Sequence, residues 1–265
     1  MKKLFFLTLM VGALLSCNGT KNNDPWGKLD PEEAAQQAAV IEGKVTSAYM
    51  HRDMTFSAWL PKNYDKNKTY PFLYLLHGYE DNDQSARHDR CWLEKGNAAK
   101  IAEDFQKSSG TDMVIIMPNG LDKFYSWDGY EDYFEKELMA AVESEYRCNG
   151  KRAIAGLSMG GYGTLYHALK YPEKFLYAYA MSPAADASMA GYIDLKEDKS
   201  VFPAFTIEVG LQDMTVDNGK ARALKNSMIA KGLTCEWVER AGTHDWAFWK
   251  ACLPKALAMA ADSFK

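Results

Sequence analysis

A chain of 265 residues, 47% apolar and 25% charged, has the length and composition of one soluble globular domain with a sizeable core. A formal charge of −4 and the lack of any Lys/Arg run argue against nucleic acid as a partner.

The first residues, "MKKLFFLTLMVGALLSC", combine a basic start, an apolar stretch of signal-peptide length and small residues near its end. That stretch is too short and too early for a mature membrane span. "LLSC" resembles a bacterial lipobox, so residues 1–16 are expected to be a lipoprotein signal peptide and Cys17 the lipidated first residue of the mature chain. The alternative is an ordinary secretory peptide cut nearby. Residues 17–28 are polar and Gly/Asn-rich and read as a tether, leaving 29–265 as a single domain. The expected address is periplasmic or outer-membrane/cell-surface, with the lipid as the membrane contact. Cys91, Cys148, Cys235 and Cys252 remain; export permits disulfides, and buried free thiols fit equally well. Their wide, irregular spacing gives no metal motif.

"DPEEAAQQAA" predicts a short helix with Asp30 as cap and Pro31 at its first position. "KVTSAYM" and "TFSAWLP" alternate as in an antiparallel strand pair, and "PFLYLLHG" is a continuous apolar run, the mark of a strand buried on both faces. "MVIIMPNG", "RAIAGLS", "FLYAYAMSP", "AFTIEVG" and "TCEWVER" then read as strands. Helices are expected near 96–107, 131–146, 159–170, 217–231 and 245–260. The alternation predicts an α/β fold, a mostly parallel sheet with helices on both faces. Ligands of such sheets bind beyond the carboxyl ends of the strands.

Ser158 stands where "RAIAGL" ends and an amphipathic helix begins, flanked by Gly156 and Gly160 as G-x-S-x-G. This is the nucleophile elbow of the α/β-hydrolase fold, a strained strand-to-helix turn that needs glycines for close packing. A serine hydroxyl needs a base, and the partners follow in the order Ser, acid, His. His167 lies nine residues on in the same helix, about 13 Å along its axis, and cannot reach. His244, in the loop "RAGTHDWAFW" after the last strand, is the expected base. Asp213, directly after "AFTIEVG", is the expected acid; Asp217 reads as a helix cap, and Asp186 follows the wrong strand. The tetrahedral oxyanion needs donors, and the backbone N–H groups of Met159 and Tyr79 are the expected pair. His77 reads as structural.

The blocks "YPFLYLLHG", "MVIIMPNG", "YEDYFEKEL", "AIAGLSMGGYGTLYHALKYPEKF", "VGLQD" and "THDWAFWK" resemble the esterase D-like esterases of the α/β-hydrolase superfamily. Within these the chain is most similar to carbohydrate esterase family 1, which includes feruloyl and acetylxylan esterases. The resemblance runs from about Lys44 to the C-terminus. It implies a Ser158, Asp213, His244 triad, an oxyanion hole of Tyr79 and Met159, and no metal or cofactor. The implied substrate is an acylated polysaccharide such as xylan. Rival readings are an esterase of another exported substrate, such as a siderophore lactone, and a non-catalytic glycan-binding lipoprotein. Aromatic faces stack on sugar or hydroxycinnamoyl rings, which makes Tyr125, Trp127 and Tyr130 candidate substrate contacts, Trp127 first among them. Trp246 and Trp249, three apart on the last helix, read as core, and Asp81 and Asp83 as solvated loop charges.

Overall fold

The computed structural model describes residues 38–80, 83 and 85–265. The signal peptide, Cys17, the tether, Asp81 and nearly all of the helix expected from Asp30 lie outside the described residues; Ala39, its last expected residue, belongs to a strand.

Eight strands follow the apolar runs: β1 (Ala39–Ser47), β2 (Arg52–Leu60), β3 (Tyr70–Leu76), β4 (Val114–Pro118), β5 (Cys148–Leu157), β6 (Tyr177–Met181), β7 (Ala204–Gly210) and β8 (Cys235–Arg240). They form one sheet in the order β1-β2-β4-β3-β5-β6-β7-β8. The pairs β1–β2 and β2–β4 are antiparallel, and every pairing from β4 to β8 is parallel. β1 is edge-exposed and alternates at its end, whereas β4 and β6 are buried at every residue, as continuous apolar strands between two helical layers must be.

The longer helices are α1 (Ala98–Ser109), α2 (Met139–Glu145), α3 (Met159–Lys170), α4 (Asn218–Ala230) and α5 (Trp246–Ser263). α2 continues from Tyr130–Asp132 through a π-helical turn at Tyr133–Leu138. The core divides accordingly. One cluster, with Tyr74, Ile154, Leu165, Leu169 and Leu224, lies under α2, α3 and α4. The other, with Leu75, Ala155, Trp92, Trp249 and Leu253, lies under α1 and α5. Alternate residues of β3 and β5 feed opposite clusters, as the two-residue period of a strand requires. β3 and β5 are therefore central, and their carboxyl ends mark the crest of the molecule.

The chain between β6 and β7 holds a 3₁₀ stretch, Ala187–Leu195, that the sequence pattern does not announce. Asp186 caps it by accepting from the Ser188 N–H at 2.8 Å. Asp217 caps α4, accepting from Gly219 N–H at 2.9 Å and Lys220 N–H at 3.2 Å. Both rival carboxylates are thus occupied with local backbone. Asp83 does the same for Ser85 N–H, at 2.8 Å. The four cysteines of the described residues are free thiols.

Candidate active site

β5 ends at Leu157, and Ser158 turns the chain into α3 with φ 53° and ψ −115°. A non-glycine residue in that region costs roughly 1–3 kcal/mol, so the surroundings must over-determine it. Three backbone bonds do so. Ser158 N–H donates to Met181 O at 2.9 Å, and its carbonyl accepts from Tyr162 N–H at 3.0 Å and Ala184 N–H at 3.2 Å. At about 0.5–1.5 kcal/mol each, these offset the strain. The flanking glycines permit the approach: a Cβ on Gly156 would stand 2.4 Å from Gly160 O, and one on Gly160 2.4 Å from His77 O.

The loop after β7 carries Asp213 and the loop after β8 carries His244, and the two strands are neighbours. His244 Nε2 lies 2.9 Å from Ser158 Oγ, and its Nδ1 lies 2.7 Å from Asp213 Oδ2. The other oxygen, Asp213 Oδ1, accepts from Thr215 N–H at 2.9 Å and Val216 N–H at 3.2 Å. The Asp213 carboxylate is fully buried, while the imidazole keeps 11% of its surface exposed. An acceptor carboxylate at Nδ1 places the ring proton there and leaves the Nε2 lone pair facing the serine. Asp245, next in the chain, caps α5 by accepting from Phe248 N–H at 2.9 Å, which fixes the loop immediately after His244.

A cleft of about 330 Å³ opens beside Ser158, lined among others by Gly78, Tyr79, His244, Trp246 and Trp249. Trp246 and Trp249 therefore depart from the reading that gave them to the core alone. Trp249 is buried, yet its ring stands edge-to-face to His244 at 4.9 Å, and Trp246 meets Trp249 at 5.4 Å. Their spacing puts both on one helix face; only the tertiary fold shows that this face also borders the nucleophile. Gly78 and Tyr79 follow β3 on the same crest. A Cβ on Gly78 would come within 3.4 Å of Ser158 Cβ, so this loop passes directly over the nucleophile. Met159 is the first residue of α3, where backbone N–H groups lack partners within the helix.

Tyr125 and Tyr130 are not substrate contacts. Both are fully buried. Tyr125 OH donates to His77 O at 3.1 Å, and Tyr130 OH donates to Asn119 O at 2.9 Å. They act as struts beneath the loop after β4, and that is why their side chains point inward. Trp127 is 51% exposed and stays available to a ligand.

His77, at the end of β3, joins two loops of the site. Its Nε2 accepts from Gly120 N–H at 2.7 Å, and Nδ1–H donates to Gly78 O at 2.6 Å. Burial lowers its pKa from 6.5 to about 4, against the opposing pull of the Gly78 carbonyl. The unfolded chain therefore binds a proton here between about pH 6.5 and 4 that the folded one refuses. Stability is full above pH 6.5 and falls with pH through that window, by up to about 3 kcal/mol. Thermal midpoints measured from pH 7 to 4 should show this slope, and His77→Asn should flatten it while lowering the midpoint at pH 7. An unchanged slope in the variant would remove His77 as its source.

His167, too far along α3 to reach the serine, is also fully buried. Its Nδ1 lies 2.6 Å from Glu135 Oε1 and its Nε2 2.9 Å from Tyr125 O. The ring thus bridges a buried carboxylate and a backbone carbonyl. Burial would raise the Glu135 carboxyl, but hydrogen bonds and charge from His167 and Lys174 outweigh it and hold it below its ordinary value. The pair ties α3 to the π-helical turn and to the loop carrying Trp127. Among the described residues no group of three or more His, Cys, Asp or Glu could hold a metal ion.

The chain is similar to known esterases over most of its length. The family model described as "Putative esterase" matches residues 47–215. An acetyl esterase of Caldicellulosiruptor saccharolyticus is 27% identical over 270 residues, covering 82% of this chain and 96% of its own length. An endo-1,4-beta-xylanase/feruloyl esterase of Xylanibacter ruminicola is 28% identical over 229 residues, covering 80% of this chain; the match spans only 29% of that longer relative. The solved structure of a ferulic acid esterase superposes with a TM-score of 0.74 at 26% identity, covering 86% of this chain and 99% of that one. The chain belongs to the Putative esterase family and is a serine carboxylic ester hydrolase.

Proposed function

We propose that this esterase removes feruloyl or acetyl groups from plant polysaccharide such as xylan, using Ser158, His244 and Asp213. The observation that carries the reading is the unbroken chain of contacts from Asp213 through His244 to Ser158, 2.7 and 2.9 Å long, at the mouth of an aromatic-lined cleft. His244 Nε2 takes the hydroxyl proton as Ser158 Oγ attacks the ester carbonyl. The oxyanion is held by the backbone N–H groups of Tyr79 and Met159. Asp213 keeps the imidazole in the right tautomer and stabilises its charged form. His244 then passes the proton to the leaving sugar alcohol, and the acyl-enzyme is hydrolysed by water activated at the same nitrogen. The substrate class draws support from the acetyl esterase and the xylanase/feruloyl esterase to which the chain is similar. The proposal extends to the address: Cys17 carries a lipid and residues 17–28 tether the enzyme to the outside of a bacterial membrane.

Mass spectrometry of feruloylated, acetylated arabinoxylan oligosaccharides tests the substrate. Ferulate or acetate should appear with the intact enzyme only, and which one appears names the preferred acyl group. Hydrolysis of a simple chromogenic ester without release from the oligosaccharides would overturn the polysaccharide assignment and move the search to other esters, siderophore lactones among them.

A further inference from the structure

The crest around Ser158 has two sides, and they differ. The cleft with Trp246 and Trp249 belongs to the α1/α5 face of the sheet. On the α2/α3 face, Trp127 stacks on Phe124 with ring centroids 4.6 Å apart and planes 24° from parallel. Phe124 in turn meets Tyr162 edge-to-face at 5.5 Å, and both pack against that face's core. Tyr162 lies four residues beyond the nucleophile, about 6 Å along the axis of α3. An ester likewise has two sides, acyl and alcohol.

We propose that the exposed face of Trp127, backed by Phe124, is a subsite for a pyranose ring on the alcohol side of the ester, while the cleft takes the acyl group. The assignment rests on the polysaccharide-esterase reading above. A sugar within a polymer must enter and leave along an open surface, which the exposed face of Trp127 allows. A pyranose presents an apolar face of C–H groups, suited to an aromatic plane, and hydroxyls around its rim. Lys123 and Asp128, paired at 2.8 Å on the same loop, supply polar groups beside the rings.

Scattered exposed aromatics need no explanation, but this one is held in place at a cost. Leu121, Asp122, Phe124, Tyr125 and Asp128 all have φ between 47° and 56°. Five non-glycine residues in the left-handed region within eight positions persist only where the surroundings enforce them. The enforcement is visible from below: His167 Nε2–H on Tyr125 O, Tyr125 OH on His77 O, Tyr130 OH on Asn119 O, and Asp122 Oδ1 accepting from Glu80 N–H at 3.0 Å. The buried struts thus present a pre-formed plane, which spares a ligand the entropy of ordering it.

The test uses two readouts. In the Ser158→Ala protein, titration with unacylated xylohexaose, read by tryptophan fluorescence and calorimetry, should give saturable binding. Adding Trp127→Ala should raise Kd about tenfold, and Trp127→Phe should restore most of it. No binding, or binding indifferent to Trp127→Ala, overturns the subsite. In the active enzyme, Trp127→Ala should lower the ratio of kcat/KM on a feruloylated oligosaccharide to that on methyl ferulate, again about tenfold. Equal losses on both substrates would place Trp127 on the acyl side and overturn the assignment. Xylohexaose bound at Trp127 by an enzyme that releases no acyl group from oligosaccharides would keep the subsite and defeat the polysaccharide-esterase reading.

Discussion

Ser158→Ala is expected to lower kcat on a chromogenic acetyl ester by on the order of 10⁶, leaving only what bound donors and the cleft supply. The fold should survive. The backbone bonds that hold the elbow, from Ser158 N–H to Met181 O and from Tyr162 and Ala184 to the Ser158 carbonyl, do not involve the hydroxyl. Alanine keeps the Cβ already accommodated at φ 53°, so no new steric demand arises. What disappears is one hydrogen bond to His244 at a partly exposed site, worth about 1 kcal/mol. The thermal midpoint should therefore shift by only a few degrees while turnover vanishes. A residual rate above about one hundredth of the parent's, in a preparation free of contaminating esterase, would mean that another group attacks the ester.

The ease of reading this fold from sequence has a physical cause. Strands buried on both faces must be continuous apolar runs, as β4 and β6 are, and each of the eight segments proposed as a strand overlaps an observed one, AFTIEVG matching β7 at every residue. The site was legible for a related reason: in a parallel sheet the loops after β3, β5, β7 and β8 converge on one edge, so residues far apart in the chain, Tyr79, Ser158, Asp213 and His244, are placed together by topology alone. Aromatic side chains were harder. Nothing in "LDKFYSWDGY" announces five left-handed residues, since only one of its ten residues is glycine, and the path they trace decides that Tyr125 and Tyr130 turn inward and Trp127 outward. Trp246 and Trp249 were legible as a helix face but not as a wall of the cleft, because helical periodicity says which residues face the protein and not which part of it they meet. The His167–Glu135 pair joins elements 32 residues apart, a separation at which sequence pattern carries no partner information.

The second large effect is at Asp213, where the substitution to test is Asp213→Asn. It changes almost no volume and removes one charge. In the parent, Oδ1 serves two backbone N–H groups, Thr215 and Val216, and Oδ2 serves the His244 ring. An asparagine has one carbonyl oxygen to offer. Two backbone donors, Thr215 and Val216 N–H, compete with one ring nitrogen for that oxygen, so the carbonyl turns to them and the amide –NH₂ faces His244. Nδ1 must then accept, the ring proton moves to Nε2, and Nε2–H points at Ser158 Oγ as a donor. A ring in that tautomer cannot take the serine proton. The expected loss in kcat is about 10⁴, with KM little changed, since nothing that holds the substrate has moved. Asp217 provides the control. It sits four residues away and caps α4, so Asp217→Ala should cost about 1 kcal/mol in stability and leave kcat within about twofold. Steady-state kinetics and thermal midpoints on both variants separate the two roles. If Asp213→Asn kept more than about a tenth of the parent rate while Asp217→Ala lost it, the acid would be Asp217, and the 2.7 Å contact between Asp213 and His244 would be structural only.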